Sequence, residues 1–234
     1  MKTCVFTGTR AEFGILTPLL ELLKKDSEFE LQLFVSGTHL ETEFGHTIDE
    51  INKRGFRVDA QVPIIQYIDS KVSVDKSFSS AMASFADELR CLSPDLVIIV
   101  GDRYEALAMA ISCLFLKIPL AHIHGGEISE GAIDESIRHS ITKMSQYHFT
   151  STEGHRLRVC QLGEDPKKVW TVGAPGLDSI TSSKFLSKQE IAEEFMFSES
   201  KPLIAATIHP ETSNNLNIEE CLSNVFSALD QYND

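Results

Sequence analysis

Residues 98–107 read Ile-Ile-Val-Gly-Asp-Arg-Tyr-Glu-Ala-Leu, an apolar run that stops abruptly at a glycine followed by charged side chains. A second run of this kind occupies residues 121–127, Ala-His-Ile-His-Gly-Gly-Glu. In an open parallel sheet, breaks of this sort occur at the carboxyl ends of strands, where ligands bind. We therefore expect a polar binding site at two neighbouring strand ends.

Strand and helix patterns alternate along most of the chain. Buried strands are expected at residues 3–8, 31–37, 96–100 and 120–123, a weaker strand at 58–65, and short strands at 147–150 and 169–172. Helices are predicted at residues 15–25, 42–54, 77–90, 104–116, 133–144 and 154–162, and a mobile loop at 68–80. This alternation predicts an α/β fold built on a Rossmann-like, doubly wound parallel sheet.

The alternation lapses after residues 172–176, Val-Gly-Ala-Pro-Gly. A polar, helix-prone stretch is followed by a fresh buried strand at 202–208 and a helix at 218–232. One strand and one helix cannot bury a core alone. We therefore divide the chain into an N-terminal Rossmann-like domain (1–181), a connection (182–201) and the start of a truncated second Rossmann-like domain (202–234).

The composition excludes several classes of protein. With 234 residues, a net charge of −13 and a pI of about 5.0, the chain lacks the basic surface that nucleic acids require. Its five cysteines are widely spaced without a Cys-x-x-Cys motif, so we expect reduced thiols and no zinc site. There is neither an apolar run long enough to span a membrane nor a signal peptide, which predicts a cytoplasmic protein.

Two charged residues end the strand at 96–100. Asp102 could accept a proton, hold a sugar hydroxyl or cap the helix that starts near Tyr104. Arg103 could bind phosphate or remain a solvated surface side chain. The helix after Gly8 offers N–H groups to an anion, with Arg10 beside them.

The second run carries two histidines and a glutamate around paired glycines. His122 alternates with an apolar neighbour and is expected in the core, whereas His124 and Glu127 are candidates for the site. Gly125 and Gly126 would let the backbone approach a ligand closely. A His-x-His near a glutamate could also bind a metal, but no third constrained ligand is evident, so acid–base use is favoured.

Three further ionisable residues occupy helix starts or strand ends. Asp134 opens the helix at 133–144 and would serve either the helix dipole or proton transfer. Glu135 and His139 are four residues apart and form a simple surface pair by spacing. His209 follows the strand at 202–208 and could contact an anion or belong to a capped turn.

Taken in order, six motifs resemble one enzyme family. They are Gly-Thr-Arg-Ala-Glu-Phe-Gly (8–14), Gly-Asp-Arg-Tyr-Glu-Ala (101–106), His-Ile-His-Gly-Gly-Glu (122–127), Ile-Asp-Glu-Ser-Ile-Arg-His-Ser-Ile-Thr-Lys-Met (133–144), Val-Gly-Ala-Pro-Gly (172–176) and His-Pro-Glu-Thr (209–212). The chain resembles the hydrolysing UDP-N-acetylglucosamine 2-epimerases of sialic acid synthesis and their relatives acting on UDP-N,N'-diacetylbacillosamine. The resemblance covers essentially the whole chain.

The resemblance implies a GT-B-like fold with the sugar nucleotide between two Rossmann-like domains, of which this chain holds the N-terminal half. It implies removal of the C2 proton, anti elimination of UDP to a glycal, and hydration to the free N-acetylmannosamine-type sugar. No metal or cofactor is implied. By motif, the catalytic set is Asp102, Asp134, Glu127 and His124, and the substrate-binding set is Arg10, Arg103, His209, Gly8, Gly125 and Gly126.

The chain departs from the family pattern at one catalytic position. One branch of the family carries a catalytic glutamate where this sequence has His124, so either His124 or Glu127 takes the proton-transfer role. Two other functions remain open: a non-hydrolysing UDP-N-acetylglucosamine 2-epimerase, and an inactive nucleotide-sugar-binding fragment. Ala11 favours the hydrolysing branch, because non-hydrolysing members carry proline there. The resemblance implies a homodimer or homotetramer at full length.

Overall fold

A computed structural model describes residues 1–130, 132–182, 185–198, 205–208 and 218–231. The chain divides into two compact units. Unit 1 comprises Met1–Ile128 and Asp134–Ser182, and unit 2 comprises Ser129–Ile133 and Ser183–Asp234. The boundary in the chain thus falls at Ser182, while the division into domains at 181 and 201 stays a prediction.

All strands in the described residues belong to unit 1. They are β1 (Lys2–Thr7), β2 (Glu30–Ser36), β3 (Ala60–Val62), β4 (Tyr67–Ile68), β5 (Lys71–Val72), β6 (Leu96–Val100), β7 (Leu120–Ile123), β8 (Tyr147–Thr150) and β9 (Val169–Thr171). Seven of them form a parallel sheet in the order β3-β2-β1-β6-β7-β8-β9, and β4 pairs with β5 as a hairpin. The order reverses between β1 and β6, which is where such folds bind ligands.

Helices flank this sheet. Unit 1 contains α1 (Arg10–Lys25), α2 (Ile48–Lys53), α3 (Val74–Leu92), α4 (Tyr104–Leu116), α5 (Asp134–Met144), α6 (Glu153–Gln161) and α7 (Gly176–Ser182). Unit 2 contains α8 (Lys188–Phe195) and α9 (Ile218–Leu229). The helices of the described residues are all too short or too polar to cross a membrane.

Two apolar clusters hold the sheet from its two faces. Phe6 lies in one cluster with Phe34 and Phe85, whose ring centroids are 5.1–5.8 Å apart. Its neighbour Val5 lies in the other cluster with Leu16 of α1. Because successive side chains of a strand point to opposite faces, this alternation shows that both faces of β1 are buried. The predicted doubly wound sheet is therefore confirmed.

Helix α1 contains a proline in its interior. Thr9 and Glu12 begin the helix with a reciprocal capping box. Pro18 cannot donate to the carbonyl of Gly14 one turn earlier. The hydroxyl of Ser179 in α7 donates to that carbonyl instead, at 3.3 Å. The helix therefore continues through the proline, with α7 contributing the lost hydrogen bond.

Two predicted segments are wrong in detail. The helix expected at 42–54 begins with a 3₁₀ turn, Thr42–Phe44, and becomes α-helical only at Ile48, because Gly45 adopts a left-handed conformation between the two. The loop expected at 68–80 instead holds the β4–β5 hairpin and the first turns of α3. Its polar composition misleads because Ser77 is fully buried, where its hydroxyl accepts a hydrogen bond from the backbone of Gln66.

The C-terminal predictions have mixed outcomes. The connection at 182–201 contains α8, which starts with a capping box between Ser187 and Glu190. Of the strand predicted at 202–208, residues 205–208 are exposed and irregular, and the remainder lies outside the described residues. A single strand in this segment would need a neighbouring strand to pair with its backbone N–H and C=O groups, and unit 2 has no other strand in the described residues. The helix predicted at 218–232 is α9.

Candidate active site

A polar cleft of about 410 Å³ lies at the carboxyl edge of the sheet, within unit 1. Its walls come from the start of α1, the residues after β6, the loop after β7 and the first turns of α5. The lining includes all four predicted catalytic residues: Asp102, His124, Glu127 and Asp134. The expectation that β6 and β7 bring their polar termini together is met by this geometry.

Arg138 joins the elements of this cleft. Its side chain is buried, with 8% exposed, and its Nη2 donates to the carboxylate of Asp102. Its Nη1 donates to the backbone carbonyl of His124 at 2.8 Å and lies 3.5 Å from Oε2 of Glu127. One guanidinium therefore fixes the end of β6 relative to the loop after β7. The planar donor geometry of arginine suits this role.

Asp102 does not cap the following helix. The N-cap position of α4 is Arg103, which makes no side-chain capping bond, and Asp102 is paired with Arg138 instead. Burial raises the pKa of Asp102 above its ordinary value. Arg138 acts against this rise, while the nearby carboxylates of Asp134 and Glu127 add to it. A carboxylate with a raised pKa is a stronger proton acceptor than an exposed one.

His124 and Glu127 form a hydrogen-bonded pair. Nδ1 of His124 lies 2.5 Å from Oε1 of Glu127. Although burial acts in the opposite direction, hydrogen bonds from His124 and Ser151 lower the pKa of Glu127 to about 2. Glu127 therefore remains a carboxylate at neutral pH and acts as an acceptor. Such a pair orients the imidazole and supports proton transfer by its other nitrogen.

Gly125 and Gly126 pack closely against neighbouring residues of the protein. A Cβ on Gly126 would stand 2.4 Å from the carbonyl oxygen of His155, and the residue has φ +79°. A Cβ on Gly125 would stand 3.1 Å from Nδ1 of His122. The glycines thus allow the loop to pack closely on α6 and on β7. Their approach to a substrate stays a prediction.

His122 is a core histidine, as predicted. It is fully buried, its Nε2 donates to the carbonyl of Gly101 at 2.7 Å, and its Nδ1 lies 3.2 Å from the hydroxyl of Thr142. Burial lowers the pKa of His122 to about 3, so the ring is neutral. The side chain therefore ties the ends of β6 and β7 together.

The start of α1 differs from the expected open anion site. The N–H groups of Gly8 and Thr9 both donate to Oε2 of Glu12, at 2.6 and 3.2 Å. Glu12 lines the cleft, and burial raises its pKa to about 7 against the effect of the Gly8 hydrogen bond. The protein's own carboxyl group therefore occupies the donors that the sequence suggested for a ligand.

The two arginines predicted for phosphate are both paired with glutamates. Arg10 is largely exposed, lies outside the lining of the cleft and binds Glu50 at 3.0 Å. Arg103 lines the cleft and makes a two-point ion pair with Glu105, at 2.9 and 3.1 Å. Because Glu105 is fully buried, Arg103 is a structural partner as well as a cleft residue.

The remaining predicted residues are placed as follows. Asp134 begins α5 at the cleft, one turn before Arg138. Glu135 and His139 are 3.8 Å apart, which fits the predicted surface pair. His209 lies outside the described residues. In the described part of the chain, no group of three His, Cys, Asp or Glu side chains is arranged to hold a metal ion.

A model of the family described as UDP-N-acetylglucosamine 2-epimerase matches residues 21–234. The chain belongs to this family. A Campylobacter jejuni relative named GDP/UDP-N,N'-diacetylbacillosamine 2-epimerase (hydrolyzing) is 41% identical over 229 residues, covering 98% of this chain and 59% of the relative. Polysialic acid biosynthesis protein P7 of Escherichia coli is 38% identical and is matched over 97% of this chain and 58% of its own length.

The solved structures agree with the fold of this chain. The crystal structure of UDP-GlcNAc 2-epimerase from Neisseria meningitidis bound to UDP-GlcNAc superposes with a TM-score of 0.70 at 21% identity. The match covers 82% of this chain and 50% of that one. The family resemblance and the GT-B-like, Rossmann-like fold class are thereby confirmed, and the chain spans slightly more than half the length of its relatives.

Three residues of this candidate site were missed from the sequence. Arg138 follows Asp134 by four residues, which places both on one face of α5, and this spacing was a usable signal. Ser151 directly follows β8, the neighbour of β7, just as Asp102 follows β6. His155 lies in the first turn of α6, four residues after Ser151, and its Nδ1 lies 2.8 Å from the Ser151 hydroxyl.

A second depression in unit 1 has a different character. It measures about 280 Å³ and is lined mainly by apolar side chains, including Leu22, Ile98 and Phe149, with Asp178 as its one ionisable residue. It therefore lacks convergent groups for proton transfer. The polar cleft is the candidate active site because ionisable groups with shifted pKa values converge there.

Proposed function

We propose that the protein containing this chain is a hydrolysing UDP-sugar 2-epimerase. Its substrate is a UDP-linked 2-acetamido sugar, UDP-N,N'-diacetylbacillosamine or UDP-N-acetylglucosamine, and its products are UDP and the free 2-epimeric sugar. The name of the 41% identical relative supports the hydrolysing reaction and favours the diacetylbacillosamine type. The observation that carries the proposal is Arg138, which holds Asp102 and the His124–Glu127 loop in one cleft.

The reaction has two stages. A base removes the proton at C2, the electrons of that C–H bond form the C1=C2 double bond, and the C1–O bond breaks to release UDP. Water then adds across the glycal, with its hydroxyl going to C1 and a proton to C2 on the face opposite to the one that lost its proton. The sum is UDP-sugar plus water giving free epimeric sugar plus UDP.

Epimerisation requires two proton-transferring groups, one for each face of C2. Asp102, with its raised pKa, supplies one of them. His124, oriented by the carboxylate of Glu127, supplies the other. Asp134 contributes a further carboxylate at the cleft, which favours protonation of Asp102 and is suited to orienting the added water.

The leaving diphosphate needs positive charge. We assign this role to Arg103, which lines the cleft, together with Arg10 and His209 as the family motifs imply. Arg10 would have to exchange Glu50 for the substrate, which is feasible because its side chain is 73% exposed. An exposed ion pair of this sort costs little to break, about 1 kcal/mol or less.

Turnover in heavy water tests the proposal. The protein is incubated with UDP-N,N'-diacetylbacillosamine or UDP-N-acetylglucosamine in D₂O, and the products are identified by NMR. Free epimeric sugar carrying deuterium at C2, together with UDP, is the expected result. A deuterated epimer still linked to UDP would indicate a non-hydrolysing epimerase instead. Binding of the UDP-sugar without deuterium exchange would indicate a nucleotide-sugar-binding chain.

A further inference from the structure

We propose that Ser151 and His155 are positioning residues of the cleft. They hold the Glu127 carboxylate so that it binds Nδ1–H of His124 and leaves Nε2 of His124 as the atom that exchanges a proton with substrate. This inference rests on the proposed function, because it names the atom that serves the reaction. Neither residue belongs to the family motifs quoted above.

The hydrogen-bond directions follow from counting protons. The hydroxyl of Ser151 lies 2.7 Å from Oε1 of Glu127 and 2.8 Å from Nδ1 of His155. A carboxylate can only accept, so the single hydroxyl proton of Ser151 goes to Glu127. Nδ1 of His155 must then carry a proton and donate to the Ser151 oxygen. Nδ1 of His124 donates to the same carboxylate oxygen by the same argument.

The consequence for His124 concerns its second nitrogen. His124 lines the cleft, and its Nδ1 is taken by Glu127. Any proton exchange between this ring and a ligand is therefore left to Nε2. Glu127 stays ionised, since its two hydrogen bonds lower its pKa to about 2, and so it directs the ring without competing for the proton at neutral pH.

The backbone fixes this chain of donors in place. Thr152 caps α6 through the N–H of His155, and the carbonyl of His155 abuts Gly126 so closely that a Cβ would meet it at 2.4 Å. Arg158 of α6 also donates to the carbonyl of Gly126. The first turn of α6 is thus seated on the loop that carries His124 and Glu127, and Ser151 is set by the end of β8.

The tautomers of the histidines provide a direct test. Long-range ¹H–¹⁵N spectra of the 234-residue chain above pH 7 are expected to show Nδ1–H tautomers for His124 and His155. His122, which donates from Nε2 to Gly101, should show the Nε2–H tautomer and serves as an internal reference. Nε2–H tautomers at both His124 and His155 in the unmodified chain would overturn the proposal.

Substitution of Ser151 separates positioning from folding. Ser151→Ala is expected to shift His155 to the Nε2–H tautomer and His124 to a mixture, while Ser151→Thr restores both. Ser140→Ala, which removes an exposed hydroxyl on α5, is the matched control and should leave all three rings unchanged. Unaltered tautomers in Ser151→Ala would also refute the inference.

Turnover gives a second readout of Ser151→Ala. A misplaced proton-transfer group costs about 100-fold in rate, so kcat should fall by about that factor with KM nearly unchanged. An unchanged kcat would refute the inference. Absence of turnover in the unmodified protein would refute the proposed function and leave the tautomer result to decide the positioning role.

Discussion

Replacing Gly126 by alanine tests whether the loop is seated on α6. The new Cβ would stand 2.4 Å from the carbonyl oxygen of His155 and 2.9 Å from Val159, and the residue has φ +79°. A left-handed backbone costs a residue with a Cβ about 1–2 kcal/mol. Overpacking against fixed neighbours adds about 1–3 kcal/mol. We therefore expect Gly126→Ala to lower the free energy of unfolding by about 2–5 kcal/mol.

Gly173 supplies the matched control. Its φ is +86°, close to that of Gly126, but a Cβ there would have no neighbour within 4 Å. Gly173→Ala should therefore cost only the backbone contribution of about 1–2 kcal/mol. The difference between the two variants isolates the close approach of the loop to α6.

The single tryptophan makes the measurement specific to unit 1. Trp170 lies in β9 of the main sheet, so its fluorescence during urea unfolding reports on that unit. The expected result is a lower midpoint for Gly126→Ala than for Gly173→Ala at an unchanged slope. An equal loss of unfolding free energy in the two variants would show that the loop can move away from α6, and would refute its close packing on that helix.

Three further changes have expected outcomes. In the unmodified chain the free energy of unfolding should fall as pH rises from 4.5 to 7, because folded Glu12 keeps a proton that the unfolded chain has released, and the full fall is on the order of 3 kcal/mol. Glu12→Gln should abolish this fall. Urea titrations of the variant that show the same pH dependence as the unmodified chain would contradict the argument. Arg103→Met should cost about 3–5 kcal/mol by leaving Glu105 buried without its partner, and the double variant with Glu105→Met should recover most of that; denaturation that shows no recovery would refute the pairing. Asp102→Asn should lower deuterium exchange at C2 by about 10²–10⁴-fold while the chain stays folded, and near-normal exchange would remove Asp102 from the mechanism.

Strands at the centre of the sheet could be predicted residue by residue. The expected strands at 96–100, 120–123 and 147–150 coincide with β6, β7 and β8, and the expected helix at 104–116 coincides with α4. For β6 and α4 a mainly apolar run is bounded on each side by glycine or a charged residue, so local pattern and burial agree. The carboxyl-edge location of the cleft followed from the same pattern.

The burial of several polar side chains could not be predicted. Glu105 is a charged residue in the first turn of a helix, which usually means exposure, yet it is fully buried against Arg103. Glu12 satisfies the N–H groups that the sequence offered to an anion. The burial of Ser77 likewise turned an expected loop into helix. The burial of Glu105 and Ser77 depends on which elements pack against them, and local composition carries no record of that. The Thr9-x-x-Glu12 spacing of a capping box, by contrast, was a local signal for the contact of Glu12.

The hydrogen bond between Ser179 and Gly14 has a consequence for synthesis of the chain. The two residues are 165 positions apart, and the ribosome adds about 5–20 residues per second. The carbonyl that Pro18 leaves open in α1 therefore waits about 10–30 s for its side-chain partner to be made. Unit 1 reaches its complete set of contacts only when α7 has been made. In a chain that ends or pauses before residue 179, the carbonyl of Gly14 therefore lacks the hydrogen bond from Ser179.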